Sequence, residues 1–504
     1  MPEALGYFLM TWTDPGLLAL TALGTLAGIY IGAVPGLSVT MAVSILVSFT
    51  FKWHVNEALA LTCGIYLGGV YGGGRTAILL NIPGGPASIA TAADGYPLAK
   101  RGEAGQAIGL STVASFIAGF VGIAAMAVAS PALSELALKF SPRDYLMIAI
   151  WGILLVGSLS GESLAKGVFA GALGVTIGTV GLDPLTAEPR FTFGTMELSS
   201  GISYIAAMIG LFGIAEVISQ VHDIHLKAIR QNVSKIVPSW ATVKKNMGLT
   251  LRTSGIGVGV GLLPGAGGDI AALMAYDHAK RTVKNPSRPF GTGAYEGLIA
   301  PEAANNAAVG GAHIPMLTLG IPGDAVTAVI IGALYIHGLN PGPMLMIETP
   351  HLFWFLVGAL CLANIFLLIF GLTGIKVFCK IMEIPKPILM PLIVVLSAVG
   401  AYAINNNVTD VYWMMGFGIL GYFMKMYGFQ VAPVILGMVL GPIMDRSYRQ
   451  AMIAAENDLV NYFTGFFTEP LSLMLVIAIA LSVLSQTPLW PGKGKNKAEP
   501  GASA

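Results

Sequence analysis

Continuously apolar runs recur along the chain, among them Leu17 to Val34, Ile108 to Ala129, Tyr145 to Leu159, Leu352 to Thr373 and Leu471 to Ser485. A helix needs about 20 apolar residues to cross the hydrocarbon of a bilayer, whereas a transmembrane strand alternates polar and apolar positions over about ten residues. The unbroken runs therefore predict an all-α integral membrane protein, a polytopic bundle with about twelve crossings, some runs being too short to span.

Two stretches interrupt this regularity, and they match each other. GTLAGIYIGAVPGLS, from Gly24 to Ser38, continues at Asn81 as NIPGGPAS; GVGVGLLPGAG, from Gly257 to Gly267, continues at Gly320 as GIPGDAVT. With Pro35 on Pro264, Gly28, Gly32 and Gly36 fall on Gly257, Gly261 and Gly265; with Pro83 on Pro322, the flanking Ile and Gly also agree. A third block pairs GALGVTIGTVGLDP from Gly171 with GILG from Gly418, which leads to GFQVAP from Gly428. This predicts two structural repeats, residues 1–220 and 253–487, joined by a hydrophilic linker, 221–252, and followed by a tail, 488–504. The orientation of one repeat to the other is open, with inversion preferred.

Proline removes a backbone donor and glycine admits dihedrals closed to other residues, so Pro35-Gly36, Pro83, Pro264-Gly265 and Pro322 read as hinges of broken or re-entrant helices. Backbone freed at such breaks is tolerated at membrane depth only against protein or a watery cavity. Glycines four apart, Gly24, Gly28 and Gly32, share one helix face and let another backbone approach.

Composition agrees with a membrane protein: 55% of residues are hydrophobic and 11% charged, against about 25% charged in soluble domains. A formal net charge of +1 implies no nucleic-acid partner. What matters is where charge lies. Lys227, Arg230, Lys235, Lys244, Lys245 and Arg252 face one acid, Asp223, in the linker, which places it in the cytoplasm, with the lysines of the tail. Met1 to Gly16 carries no basic residue, so no removable signal is expected. Cys63, Cys361 and Cys379 lack metal-like spacing and read as core residues, and His222 and His225 as solvated. No nucleotide loop, zinc helix or nucleophile elbow occurs, so no enzymatic activity and no cofactor is expected beyond a transported Na+ or H+.

Candidate chemistry concentrates at the breaks. Helix N-termini expose unpaired N–H groups and suit anions. Asn81, the amides of Gly84, Gly85 and Gly323, and Ser38, Ser88 and Thr327 are candidate contacts for an anionic substrate. Asn305, Asn306, Thr318 and Asp324 offer oxygens to a hard cation; the alternative for the two asparagines, given nearly equal weight, is bonding of broken backbone across helices. Arg75 fits either added positive charge or an interfacial position. Asp94 reads as a loop or cap residue, Glu296, Glu302 and His313 as capping or water-facing groups, and Asp445, with Arg446 and Arg449, as a charged helix end.

YLGGVYGG from Tyr66, ILLNIPG from Ile78, DGYP from Asp94, LPGAG from Leu263, PEAANNAA from Pro301, LTLGIPGDAVTA from Leu317 and HGLNPGP from His337 together resemble the large membrane subunit of the tripartite tricarboxylate transporters, the TctA-type permeases. The resemblance covers nearly the whole chain. It implies a bacterial inner-membrane permease importing di- or tricarboxylates by Na+ or H+ symport, alongside a small four-helix membrane subunit and a periplasmic binding protein. A passive channel and a non-transporting assembly subunit are the rival readings. Three positions depart from the family pattern: Gly268-Asp269 where small or hydroxyl residues are usual, His313 in a normally apolar slot, and Asp445 in place of a glutamate.

Overall fold

A computed structural model describes residues 2–34, 37–159, 163–183, 186–220, 236–375 and 386–484. Pro35, Gly36, Cys379, both linker histidines and the tail lie outside them. The first half comprises helices α1 (Pro2–Thr13), α2 (Pro15–Ala33), α3 (Val39–Phe49), α4 (Val55–Leu80), α5 (Ala87–Lys100), α6 (Ala104–Ala137), α7 (Pro142–Leu159) and α8 (Leu164–Gly178). A two-strand antiparallel hairpin follows, β1 (Gly181–Leu182) with β2 (Pro189–Arg190), then α9 (Met196–Ser199) and α10 (Tyr204–Gln220), whose middle is wound as a π-turn. The second half comprises α11 (Trp240–Gly261), α12 (Gly267–Thr282), α13 (Tyr295–Leu319), α14 (Ala325–Ile336), α15 (Pro343–Glu348), α16 (Pro350–Thr373), α17 (Lys386–Asn405), α18 (Val408–Met426), α19 (Ala432–Ala454), α20 (Leu459–Thr468) and α21 (Pro470–Leu484). Lys244, Lys245 and Arg252 lie on α11.

Among the described residues, three helices, α2, α6 and α16, are long and apolar enough to cross a membrane, and α20 with α21, bent by 83°, make a fourth span if taken together. Other apolar runs are cut into helices shorter than a span, such as α3, α8 and α14. α4 and α13, of 26 and 25 residues, have the length but carry glycine and polar groups instead of a uniform apolar face. Every residue of α13 from Glu296 to Thr318 is buried, so this helix runs through the interior of the protein.

Inter-helix packing is repeated in the two halves. A Cβ on Gly24, Gly28 or Gly32 of α2 would stand 2.3, 2.4 or 2.1 Å from the carbonyl oxygens of Leu61, Ile65 and Gly69 on α4. On Gly257 or Gly261 of α11 it would stand 2.2 or 2.6 Å from those of Ala304 and Ala308 on α13. Both supporting helices end on a left-handed residue, Asn81 (φ 58°) and Gly320 (φ 71°), which turns the chain back into the second break. The halves also exchange partners: α6 packs on α13 and α16 on α4, α5 on α12 and α3 on α14, α7 and α8 on α19, and α17 and α18 on α10.

Ion pairs fasten the periphery. Asp445 lies inside α19 and not at a helix end, and Arg190 of the hairpin reaches it at 3.0 Å while Arg449 binds Asp183 at 2.8 Å. Glu103 and Arg288 pair at 2.7 Å and join the α5–α6 turn to the α12–α13 segment.

Candidate functional site

The returns at the breaks bring the halves to a common cavity of about 530 Å³. From the first half it is lined by Ser38, Tyr66, Gly84, Gly85 and Ser88, and from the second by Gly265, Asp269, Asn305 and Asp324, with Gln430 at one side. Ser38 caps α3, its Oγ accepting the Met41 N–H at 3.0 Å. Gly84 lies against the Gly32 carbonyl and donates its amide to Gly73 O at 3.4 Å, whereas nothing approaches a Cβ placed on Gly85. The Gly265 amide donates to Pro322 O at 3.2 Å, tying the two breaks of the second half together. Pro264 packs beside Gly152.

Asp324 is the N-cap of α14: its Oδ1 accepts the Thr327 N–H at 2.8 Å, and its Oδ2 accepts the Tyr66 hydroxyl from the other half. Asp269 reaches across in the same way, its Oδ1 accepting the Ala87 N–H at the start of α5 at 3.0 Å. Carboxylates therefore already serve the helix N-termini on both sides of the cavity, as the partial positive charge there favours. The lining contains no Lys, Arg or His.

The remaining candidates stand apart from the wall. Asn81 and Pro83 belong to the outer turn, and Asn81 is exposed. Gly323 packs against Ala312 and the Gly261 carbonyl. Thr327 is buried in the α14 capping box and Thr318 donates to Ile314 O at 2.7 Å within α13. Asn306 donates to Ser115 Oγ of α6 at 2.9 Å and to Glu302 O of its own helix at 3.0 Å; Asn305, the preceding residue and so about 100° away around the helix, lines the cavity and donates to Val70 O at 3.4 Å.

Several polar groups read as capping or interfacial are interior. Glu302 is buried and accepts from Thr91 at 2.6 Å and Ser111 at 2.8 Å. His313 is buried with Nδ1 2.8 Å from Val309 O, not water-facing, and Arg75 is buried, donating to Gly371 O at 2.7 Å over the Tyr71 ring. Asp94 is a cap, but for another half of the chain: its Oδ1 accepts the amides of Gly291, Gly293 and Ala294 at 2.8–2.9 Å, ahead of α13. The part Tyr66 plays is not legible in the sequence, because a tyrosine in an apolar, glycine-rich run carries no local mark of the acid it meets 258 residues away. Among the described residues no group of three His, Cys, Asp or Glu side chains is placed to hold a metal.

Comparison with known proteins gives the chain its relatives. The chain is 38% identical over 469 residues to an uncharacterised 52.8 kDa protein of the TAR-I ttuC′ 3′ region of Agrobacterium vitis, covering 92% of each chain. It is 42% identical over 217 residues to an uncharacterised protein of the TAR-II ttuC′ 3′ region of the same organism, covering 43% of this chain and 88% of that one. No solved structure matches. The model of the tripartite tricarboxylate transporter TctA family matches residues 18–436, so that the broken helices and the cavity between them all fall inside the match, and this chain belongs to that family.

Proposed function

We propose that the chain is the large permease subunit of a secondary transporter of the bacterial inner membrane. It imports di- or tricarboxylates by Na+ or H+ symport with alternating access, working with a small four-helix membrane subunit and a periplasmic binding protein. Its apolar runs cross about twelve times, the shorter ones as broken or re-entrant segments, in two inverted repeats. The observation that carries this reading is the cavity where the broken helices of both halves meet, inside a chain of the TctA family. Its volume falls in the range of about 300–1,000 Å³ usual for small-molecule sites. Ser38, Gly85 and Ser88 are the substrate-side wall; Asn305 and Asp324 supply oxygens for the coupling cation. Asn81, Gly84, Gly323, Thr327, Asn306 and Thr318 act behind the wall, setting the turns.

Bringing an anion into a negative-inside cell costs roughly 2.3 kcal/mol per charge per 100 mV, so a polyvalent carboxylate needs several co-transported cations. The test is uptake of radiolabelled citrate and a panel of dicarboxylates by proteoliposomes holding this chain, its small membrane partner and the binding protein. Accumulation that requires a Na+ or H+ gradient is expected. Equilibration without accumulation under both gradients favours a passive channel, and no uptake by a correctly assembled complex favours the assembly subunit.

A further inference from the structure

Glu302 is a carboxylate inside α13, 2% exposed, and among the described residues it forms no ion pair. Arg75 of α4 is near enough for its charge to be felt, but its guanidinium donates to Gly371 O at 2.7 Å. What surrounds Glu302 is hydroxyl: Oε1 accepts from Thr91 Oγ1 of α5 at 2.6 Å, and Oε2 from Ser111 Oγ at 2.8 Å and Ser115 Oγ at 3.3 Å, both on α6. Gly74 of α4 closes the remaining side, where a Cβ would strike Oε1. A negative charge held this deep without a paired positive one is strongly disfavoured unless a cation joins it. Asn306, fully buried on the same helix, donates Nδ2 to Ser115 Oγ at 2.9 Å, and its Oδ1 accepts from no described residue. The cluster lies one turn behind the cavity wall. Thr91 follows Ser88 on α5 and Glu302 precedes Asn305 on α13, each by one turn, about 4.5 Å of helix rise, and Ser88 and Asn305 both line the cavity.

We infer that the Glu302 cluster is a second cation site, separate from the cavity, and that its cation is Na+. The inference rests on the symport reading above and deepens it: a polyvalent carboxylate needs several co-transported cations, and the Asn305 and Asp324 oxygens of the cavity wall serve only one position. Glu302 supplies the charge, Thr91, Ser111 and Ser115 supply hydroxyl oxygens, and Asn306 supplies a carboxamide oxygen. One carboxylate among neutral oxygens suits a hard cation of single charge. A half-turn of the Asn306 carboxamide exchanges its two polar atoms and sets Oδ1 beside Ser115 Oγ, where the cation takes the place of the lost hydrogen bond. A proton on Glu302 would cancel the same charge, but it would leave the Asn306 oxygen buried without a donor, which is costly.

The test is binding of radioactive Na+ to the full chain in lipid nanodiscs, without substrate and with choline chloride holding the ionic strength constant. The native protein is compared with Glu302→Gln, Ser115→Ala and Asp324→Asn, and thermal melting of each checks its folding. Glu302→Gln, which keeps the shape and removes the charge, is expected to lose one bound Na+ per chain. Ser115→Ala keeps the carboxylate and should weaken that same site by about tenfold, whereas Asp324→Asn should retain it. NaCl should also raise the melting temperature of the native protein above its value in choline chloride, and raise that of Glu302→Gln by less. Unchanged Na+ binding in well-folded Glu302→Gln and Ser115→Ala overturns the inference. So does a native protein that binds no Na+ but whose melting shifts with pH in a way Glu302→Gln abolishes, since Glu302 then carries a proton. Both failures are read without substrate, so they leave carboxylate transport standing on its own uptake test in proteoliposomes.

Discussion

Gly84 and Gly85 are adjacent, both line the cavity, and have opposite structural duties. A Cβ on Gly84 would stand 2.3 Å from the Gly32 carbonyl oxygen and 2.7 Å from the Gly73 Cα, both backbone atoms that cannot swing aside; on Gly85 it would meet nothing within 4 Å. Gly84→Ala is therefore expected to destabilise the fold by about 1–3 kcal/mol as an overpacked contact. Gly85→Ala should melt like the native protein while lowering carboxylate uptake by narrowing the cavity. Equal melting temperatures for the two variants would contradict this division. The sequence marks both glycines alike, since a Pro-Gly-Gly string shows where backbone turns and not which amide faces space. Asp94 repeats the lesson: its capping role is legible beside Gly-Tyr-Pro, but the amides it serves lie about 200 residues further on.

At the scale of elements, what is periodic was readable and what is relational was not. The four-residue glycine spacing predicts a face open to another backbone, and α2 and α11 each present that face to a neighbour. The neighbour's identity depends on the turn that brings α4 or α13 back, which no local pattern encodes. The count of crossings was less legible, because α4 and α13 are long enough to span but trade apolar side chains for glycine and polar groups that only a protein environment satisfies. Turns between elements carry their own fastening. The hydrogen bond from Arg288 holds the Glu103 carboxyl below its ordinary 4.5, with the Tyr295 hydroxyl adding to it. A depressed carboxylate contributes stability above its unfolded pKa and loses it as pH falls through the folded value. Glu103→Gln should thus lower the melting temperature at pH 7. The gap from the native protein should shrink below pH 4.5 and narrow with added salt, since the pair is open to solvent. A gap constant from pH 7 down to pH 3 would show that Glu103 acts through packing alone.

For the whole molecule, charge bears on the orientation of the two repeats. The Glu103–Arg288 pair puts the α5–α6 turn and the α12–α13 segment at one end of the protein, and these carry Lys100, Arg101, Lys280, Arg281, Lys284 and Arg288. Their counterparts by the sequence match, the α14–α15 turn and the α3–α4 turn, carry no Lys or Arg and only Lys52, respectively. If basic turns stay in the cytoplasm, matched turns of the two halves fall on opposite sides, which is what inversion requires and a parallel repeat forbids. Labelling at Ser38 and Ala266 cannot decide this, because both line the same cavity and report its opening. Trp53 and Asn285 can, being exposed in the matched α3–α4 and α12–α13 turns. In a background freed of Cys63, Cys361 and Cys379, Trp53→Cys should react with a membrane-impermeant maleimide in intact cells, and Asn285→Cys only after the membrane is permeabilised. Reaction of both from the same side would make the repeat parallel. The exchange of partners between halves, α5 on α12 and α3 on α14, would then need a two-fold axis along the membrane normal instead of within its plane.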